Sequence, residues 1–250
     1  MNPRPSVSVL FEPAARPKAD LAGATAVVID AIRATTTIVT ALAAGCREVV
    51  PCRTDAEVRA EAERRPPGSV VTAGERGGRR IEGLDLNNSP SVMTAGRVGG
   101  RTLLLTTTNG TQAVRDAMAA ETVLIASLNN RSAVARRVAA LGRRVVFVPA
   151  GTVGAVSRED TLVAGAVIAA LLEEGVPDAF SLDDSARVAL EAWRAAAGRL
   201  GEVFRQTSGG SAIVRLGLDA DLDVCIQVDV TDVVPAARGD PPVIAALQSL

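Results

Sequence analysis

Residues 102–119 read TLLLTTTNGTQAVRDAMA: an apolar run, a polar turn, then a stretch with helical spacing. The opening TLLLT shows no polar alternation, which fits a strand covered on both faces. After Asn109-Gly110 the apolar residues recur at the interval of one helix face. Asn-Gly is also a strong hairpin signal, and the helical spacing that follows argues against that reading here. A strand running directly into a helix is the repeating unit of a parallel α/β sheet.

The same unit recurs on both sides of this stretch. Strands are expected at 6–11, 26–29, 48–51, 69–72, 102–106, 122–126 and 144–148. Helices are expected at 35–44, 55–64, 90–95, 111–119, 131–141, 158–174 and 183–197. VVID and VVFVP, like TLLLT, are apolar on both faces. The fold class is therefore α/β, a mainly parallel sheet with helices on both faces, layered α/β/α, with residues 1–250 forming a single domain. Local signals agree. Ser157-Arg-Glu-Asp160 has the form of a capping box, Ser89-Pro90 reads as an N-cap followed by proline, and Gly45, Gly142 and Gly175 stand where helices stop. Past Gly201 the pattern weakens: a short helix at 211–216, a strand at 223–228 and a terminal helix at 242–250 are expected, with room for a small C-terminal subdomain.

Composition narrows the function. Net charge is −1, from 27 basic and 28 acidic residues, which gives no electrostatic footprint for nucleic acid or an anionic membrane. The longest apolar stretch, 162–172, is too short to span a bilayer, and no signal-peptide pattern opens the chain. Cys46, Cys52 and Cys225 form no paired motif, so a cytoplasmic location is expected. There is no histidine, which removes histidine phosphatases, zincins and Ser–His hydrolases. P-loop and GxGxxG strings are absent as well.

In an open parallel sheet, ligands bind beyond the carboxyl ends of the strands. Polar residues follow five of the expected strands: Asp30 and Arg33; Glu75 and Arg76; Thr107, Thr108, Asn109, Gly110 and Thr111; Ser127, Asn129 and Asn130; Gly151 and Thr152. Thr-Thr-Asn-Gly-Thr ahead of a helix offers hydroxyls, backbone N–H groups and a helix N-terminus to an anion. Asp30-x-x-Arg33 could place a metal ligand beside a phosphate clamp, or form a local ion pair with Asp30 capping the helix. Glu75, Asp85, Glu159 and Asp160 are further carboxylates, each of which could simply favour a helix N-terminus. A site of carboxylates, amides and hydroxyls suits a hard ion such as Mg²⁺.

Five ordered strings resemble the 2-phosphosulfolactate phosphatase family: DAIRATTTI from Asp30, AGERG from Ala73, GLDLNNSP from Gly83, TTTNGT from Thr106, and GT…SREDTL from Gly151 to Leu162. The chain departs from that pattern at Asn87, where Gly is expected, and at Thr207–Ser211, where a His-containing segment is expected. The resemblance implies a Mg²⁺-dependent phosphatase of coenzyme M biosynthesis that acts on a small anionic phosphoester, 2-phospho-3-sulfolactate. By analogy it also implies a homo-oligomer. On this reading Asp30, Arg33 and Glu75 are catalytic, and Mg²⁺ is held by Asp30, Glu75 and either Asp85 or Asp160. Arg33 and the Thr107–Thr111 turn hold the phosphate with Gly151 and Thr152 nearby, while Arg76 and Asn88 take the second anionic end. The same chemistry on another phosphorylated acid, and a non-catalytic metabolite sensor, are the alternatives.

Overall fold

The computed structural model describes residues 4–173 and 179–248. In chain order, β1 (Ser6–Val9) leads through a 3₁₀ turn to β2 (Thr25–Ile29), α1 (Ala34–Ala43), β3 (Glu48–Pro51), α2 (Asp55–Glu63), β4 (Val70–Arg76) and the short β5 (Arg79–Arg80). A 3₁₀ turn at Pro90–Val92 and α3 (Ala95–Val98) precede β6 (Thr102–Thr106), α4 (Gly110–Ala117), β7 (Thr122–Ala126), α5 (Arg131–Leu141), β8 (Val145–Pro149) and α6 (Arg158–Glu173). Then come β9 (Ser181–Leu182), α7 (Asp184–Ala196), α8 (Leu200–Gln206), α9 (Ser208–Arg215), α10 (Asp219–Cys225), β10 (Pro235–Arg238) and β11 (Val243–Ala246). The α/β reading holds. Asn109-Gly110 opens a helix, not a hairpin.

All strands join one sheet in the order β5-β4-β6-β3-β11-β10-β7-β2-β8-β1-β9. β2 lies between β7 and β8 in parallel register, with Val28 opposite both Ile125 and Val148. The antiparallel hairpin β10–β11 separates that half from the parallel trio β3, β6 and β4.

The sheet curls. On one face, residues from eight strands, from Val71 and Ala73 of β4 to Val146 and Val148 of β8, pack into a single cluster around α1 and α4. The opposite face divides into two clusters. One lies under α5, α6 and α7, and a smaller one under α2 and Val58. A single cluster inside and two outside is what a sheet bent towards α1 and α4 produces. With few aromatics, the fully buried bulk is mostly Leu and Ile, joined by Phe147 and Phe204. Each buried aliphatic side chain contributes roughly 1.5–3 kcal/mol.

Ser157 makes its half of the expected capping box, its Oγ accepting the Asp160 amide at 3.1 Å, while the Asp160 oxygens accept from Ala31 and Gly151 instead. Gly45 and Gly142 adopt positive φ (84° and 58°), whereas Gly175 lies outside the described residues. Four expectations are corrected. The 90–95 helix is a 3₁₀ turn followed by the separate four-residue α3. Ser89 does not cap; its hydroxyl donates to Asp221 instead. The 223–228 strand is replaced by α10, whose buried positions, 221, 222 and 225, have helical spacing. The expected terminal helix contains β11, because Val243–Ala246 pairs with β10 and tertiary pairing overrides the propensity of an Ala-Leu run. The strands of the C-terminal region complete the sheet interior, between β7 and β3.

α6 and α7 approach closely at Gly165, where a Cβ would overlap the Ala189 carbonyl oxygen. Gly165→Ala is expected to destabilise the fold by about 1–3 kcal/mol through overpacking, despite the better helix propensity of alanine. Urea midpoints for parent and variant measure this, and an unchanged or raised midpoint would contradict the packing.

Candidate active site

The curl brings the carboxyl ends of β2, β4, β6 and β8 around one cavity of about 150 Å³. Its polar lining includes Asp30, Arg33, Glu75, Asn88, Thr108 and Asn109. Ile32, Val153, Ala212, Ile213 and Leu216 give it an apolar side, the last three from the region of α9.

Glu75 ties two loops together. Its Oε1 accepts the Thr108 amide at 2.7 Å and the Thr108 hydroxyl at 2.9 Å, while its Oε2 accepts the Gly78 amide at 2.8 Å. Asp30 is buried just after β2. Its Oδ1 accepts the Ala34 amide at 3.2 Å, and its Oδ2 accepts nothing among the described residues. Burial, reinforced by Glu75 and Glu159, pushes the Asp30 carboxyl up to about 7, although the Ala34 hydrogen bond and Arg33 pull the other way. Gly110 lies directly against it, since a Cβ there would sit 2.6 Å from Asp30 Oδ2 and 2.5 Å from the Ala34 methyl.

Arg33 is 3% exposed. Its Nη1 donates to Asp221 Oδ2 at 2.6 Å and its Nη2 to the Gly78 carbonyl at 2.9 Å. The ion-pair reading of Arg33 is thus realised, but with Asp221 and not Asp30. Asn87, one of the two departures from the family pattern, donates to the same Gly78 carbonyl at 3.1 Å. At the other departure, the Gly209 amide donates to Glu159 Oε1 at 3.1 Å, and a Cβ at 209 would overlap that oxygen. Glu159 therefore occupies the space that a side chain at 209 would need.

Several expected site residues are placed elsewhere. Asp85 is exposed and accepts both the amide and the hydroxyl of Thr72, each at 2.8 Å, on a different surface. Asp160 is buried but structural: Ala31 donates to one of its oxygens at 2.8 Å and Gly151 to the other at 3.0 Å. Burial, with Asp30 and Glu159 nearby, raises its carboxyl well above the ordinary range. Arg76 is exposed and its guanidinium donates to the Glu75 carbonyl and to Thr106 Oγ1, off the cavity lining. Thr107 and Thr111 bond to each other across the first turn of α4. Gly151 and Thr152 shape the turn that carries Val153, 87% exposed, to the rim. Of the residues after β7, Asn129 instead binds the carbonyls of Val224 and Gln227.

Sequence reasoning missed Asp221, which lies where the pattern weakens and no helix was expected. It also weighed Glu159 only as a helix-favouring carboxylate, although its place beside Asp160 after β8 was the available signal.

The oxygens present fit a hard cation. Asn88 Oδ1 and Glu159 Oε2 are buried without a partner, and Asp30 Oδ2 accepts no hydrogen bond among the described residues. Among those residues, no group of three or more acidic or sulfur side chains makes an all-protein cage.

A family model described as 2-phosphosulpholactate phosphatase matches residues 10–240. A Symbiobacterium thermophilum protein named probable 2-phosphosulfolactate phosphatase is 42% identical over 88% of this chain and 93% of its own length. A Deinococcus radiodurans protein of the same name is 41% identical, covering 90% of this chain and 92% of its own. One from Synechococcus sp. (strain CC9605) is 38% identical over 96% and 99%.

A raised carboxyl makes the fold more stable when protonated, so without a bound cation stability should fall as pH climbs from about 4 towards 7. Asp30→Asn keeps the Ala34 hydrogen bond and removes that cost. In chelator its melting temperature is expected to exceed the parent's at pH 8, with the gain shrinking at pH 5. A variant that melts lower at pH 8 would contradict the electrostatic reading.

Proposed function

The chain belongs to the 2-phosphosulfolactate phosphatase family, and we propose that it hydrolyses 2-phospho-3-sulfolactate to 3-sulfolactate and phosphate in a Mg²⁺-dependent reaction of coenzyme M biosynthesis. The observation that carries this reading is the cavity itself, where a buried arginine and a carboxylate oxygen that accepts no hydrogen bond among the described residues share one small space. A cytoplasmic enzyme fits the three buried free cysteines. Among the described residues no helix is long and apolar enough to cross a membrane.

Arg33 binds the nonbridging phosphate oxygens through N–H groups that Asp221 and Gly78 leave unclaimed. With the Thr108 amide and hydroxyl held by Glu75, it is the start of α4 at Asn109, with its helix dipole, that favours an anion. Glu75 holds Thr108 and Gly78, and with them the spacing between the two loops that grip the substrate. Asp30 would hold Mg²⁺ through Oδ2, with Glu159 and Asn88 supplying the other unsatisfied oxygens. Bound there, the ion would supply neutralisation of phosphate charge as the ester bond breaks. The apolar side of the cavity excludes bulk water and strengthens these interactions.

One observation favours a second reading with the same chemistry. Among the described residues lining the cavity, Arg33 is the only cationic one, and the lining residues Ala212, Ile213 and Leu216 offer no charge to a sulfonate. A phosphorylated acid with a less polar tail fits that wall.

Phosphate release from 2-phosphosulfolactate, 2-phosphoglycerate, 2-phospholactate and p-nitrophenyl phosphate, with Mg²⁺ and with EDTA, tests both. Mg²⁺-dependent turnover favouring phosphosulfolactate is expected. A preference for 2-phospholactate supports the second reading, and release from none by folded protein removes the phosphatase assignment. Asp30→Asn and Arg33→Ala should each lower turnover by roughly 10²–10³-fold, so a near-parental rate in either would remove that residue from the mechanism.

A further inference from the structure

Asp221 sits on α10, far along the chain from every residue lining the polar side of the cavity, and is 1% exposed. Four donors converge on its carboxylate. Arg33 Nη1 reaches Oδ2 at 2.6 Å, while Oδ1 takes the Ser89 hydroxyl at 2.5 Å, the Ser91 hydroxyl at 2.6 Å and the Ser91 amide at 3.3 Å. A carboxylate gripped on both oxygens cannot turn, so the guanidinium it holds is fixed as well. The guanidinium is a planar fork with five N–H groups. Asp221 and the Gly78 carbonyl take one each, leaving three unclaimed among the described residues on a side chain that lines the cavity.

We propose that Asp221 is the positioning residue for Arg33: it never touches substrate, yet it sets the affinity of the site for the phosphate end. This rests on the reading of Arg33 as the phosphate clamp. Buried ion pairs are poor stabilisers compared with packed apolar residues of the same volume. The pair at Arg33 and Asp221 is therefore explained by what it orients. A lone arginine on a mobile stem would have to be ordered at each binding event, whereas one held by Asp221 is ordered beforehand. Ser89 and Ser91 extend the same hold to the segment carrying Asn88, so both polar flanks of the cavity are referred to one carboxylate.

The test is a double-mutant cycle read by calorimetric titration of inorganic phosphate into the full chain with Mg²⁺ present. It compares the parent, Asp221→Asn, Arg33→Met and the double variant, each checked for folding by its melting transition. Asparagine keeps an oxygen for the two serines but removes the charge opposite Nη1. Methionine fills the space of the arginine stem. Asp221→Asn is expected to weaken phosphate binding at least tenfold with Arg33 present and less than twofold with Met at 33, a dependence that a general loss of structure would not give. Equal weakening in both backgrounds, or none beside Arg33, would overturn the proposal while leaving the clamp standing. Undiminished binding by Arg33→Met would sink the clamp reading and the proposal with it. If Asp221→Asn does not fold, Asp221→Glu gives the same comparison, because it keeps the charge and displaces the carboxylate by one methylene.

Discussion

The contact between Gly110 and Asp30 is the constraint on which the site depends. β2 and β6 are far apart in the sheet order, separated by β3, the β10–β11 hairpin and β7. They meet only because the sheet bends around α1 and α4, and the start of α4 can press against the β2–α1 loop only where it has no side chain. The contact brings β2 to a pair already formed by β4 and β6, where Gly74 lies opposite Thr106. Thr108 falls within reach of Glu75, Glu75 holds Gly78, and Gly78 receives Arg33 and Asn87. A single backbone approach thereby links four segments that are remote in sequence.

The electrostatics express the same economy. Asp30, Glu75, Glu159 and Asp160 lie at or beneath a cavity whose only cationic lining residue among those described, Arg33, is already paired. The site keeps two of these acids quiet by giving each oxygen an amide or hydroxyl: Glu75 through Thr108 and Gly78, Asp160 through Ala31 and Gly151. Among the described residues, Asp30 and Glu159 each retain an oxygen without a donor. An unsatisfied buried acceptor such as Glu159 Oε2 is costly, and the open oxygens separate Asp30 and Glu159 from the acids that build the loops.

What the sequence displayed follows this division. Strands covered on both faces announced themselves as unbroken apolar runs, and the residues just after them, Asp30, Glu75, Thr108 and Asn109, reach the cavity because parallel strands share one end. Asp85 and Asp160 looked equivalent to Asp30 in sequence, since nothing local distinguishes a carboxylate that caps or stitches from one left open. Asp221 was invisible for a different reason: its role exists only through Arg33, 188 positions away. The late strands were misread because β11 is defined by its pairing with β10, which overrides the helical propensity of the Ala-Leu run at its end.

The position of the β10–β11 hairpin carries a consequence for biosynthesis. Residues 235–246 occupy the middle of the sheet although they lie late in the chain, and their neighbours β3 and β7 are made long before them. On the ribosome, two parallel blocks would emerge with facing edges open and no strand to join them. Such edges are the surfaces at which chains mispair with one another. A nascent chain interrupted between Leu216 and that hairpin would have every residue of its cavity lining translated, yet lack the strands that bring the two halves together.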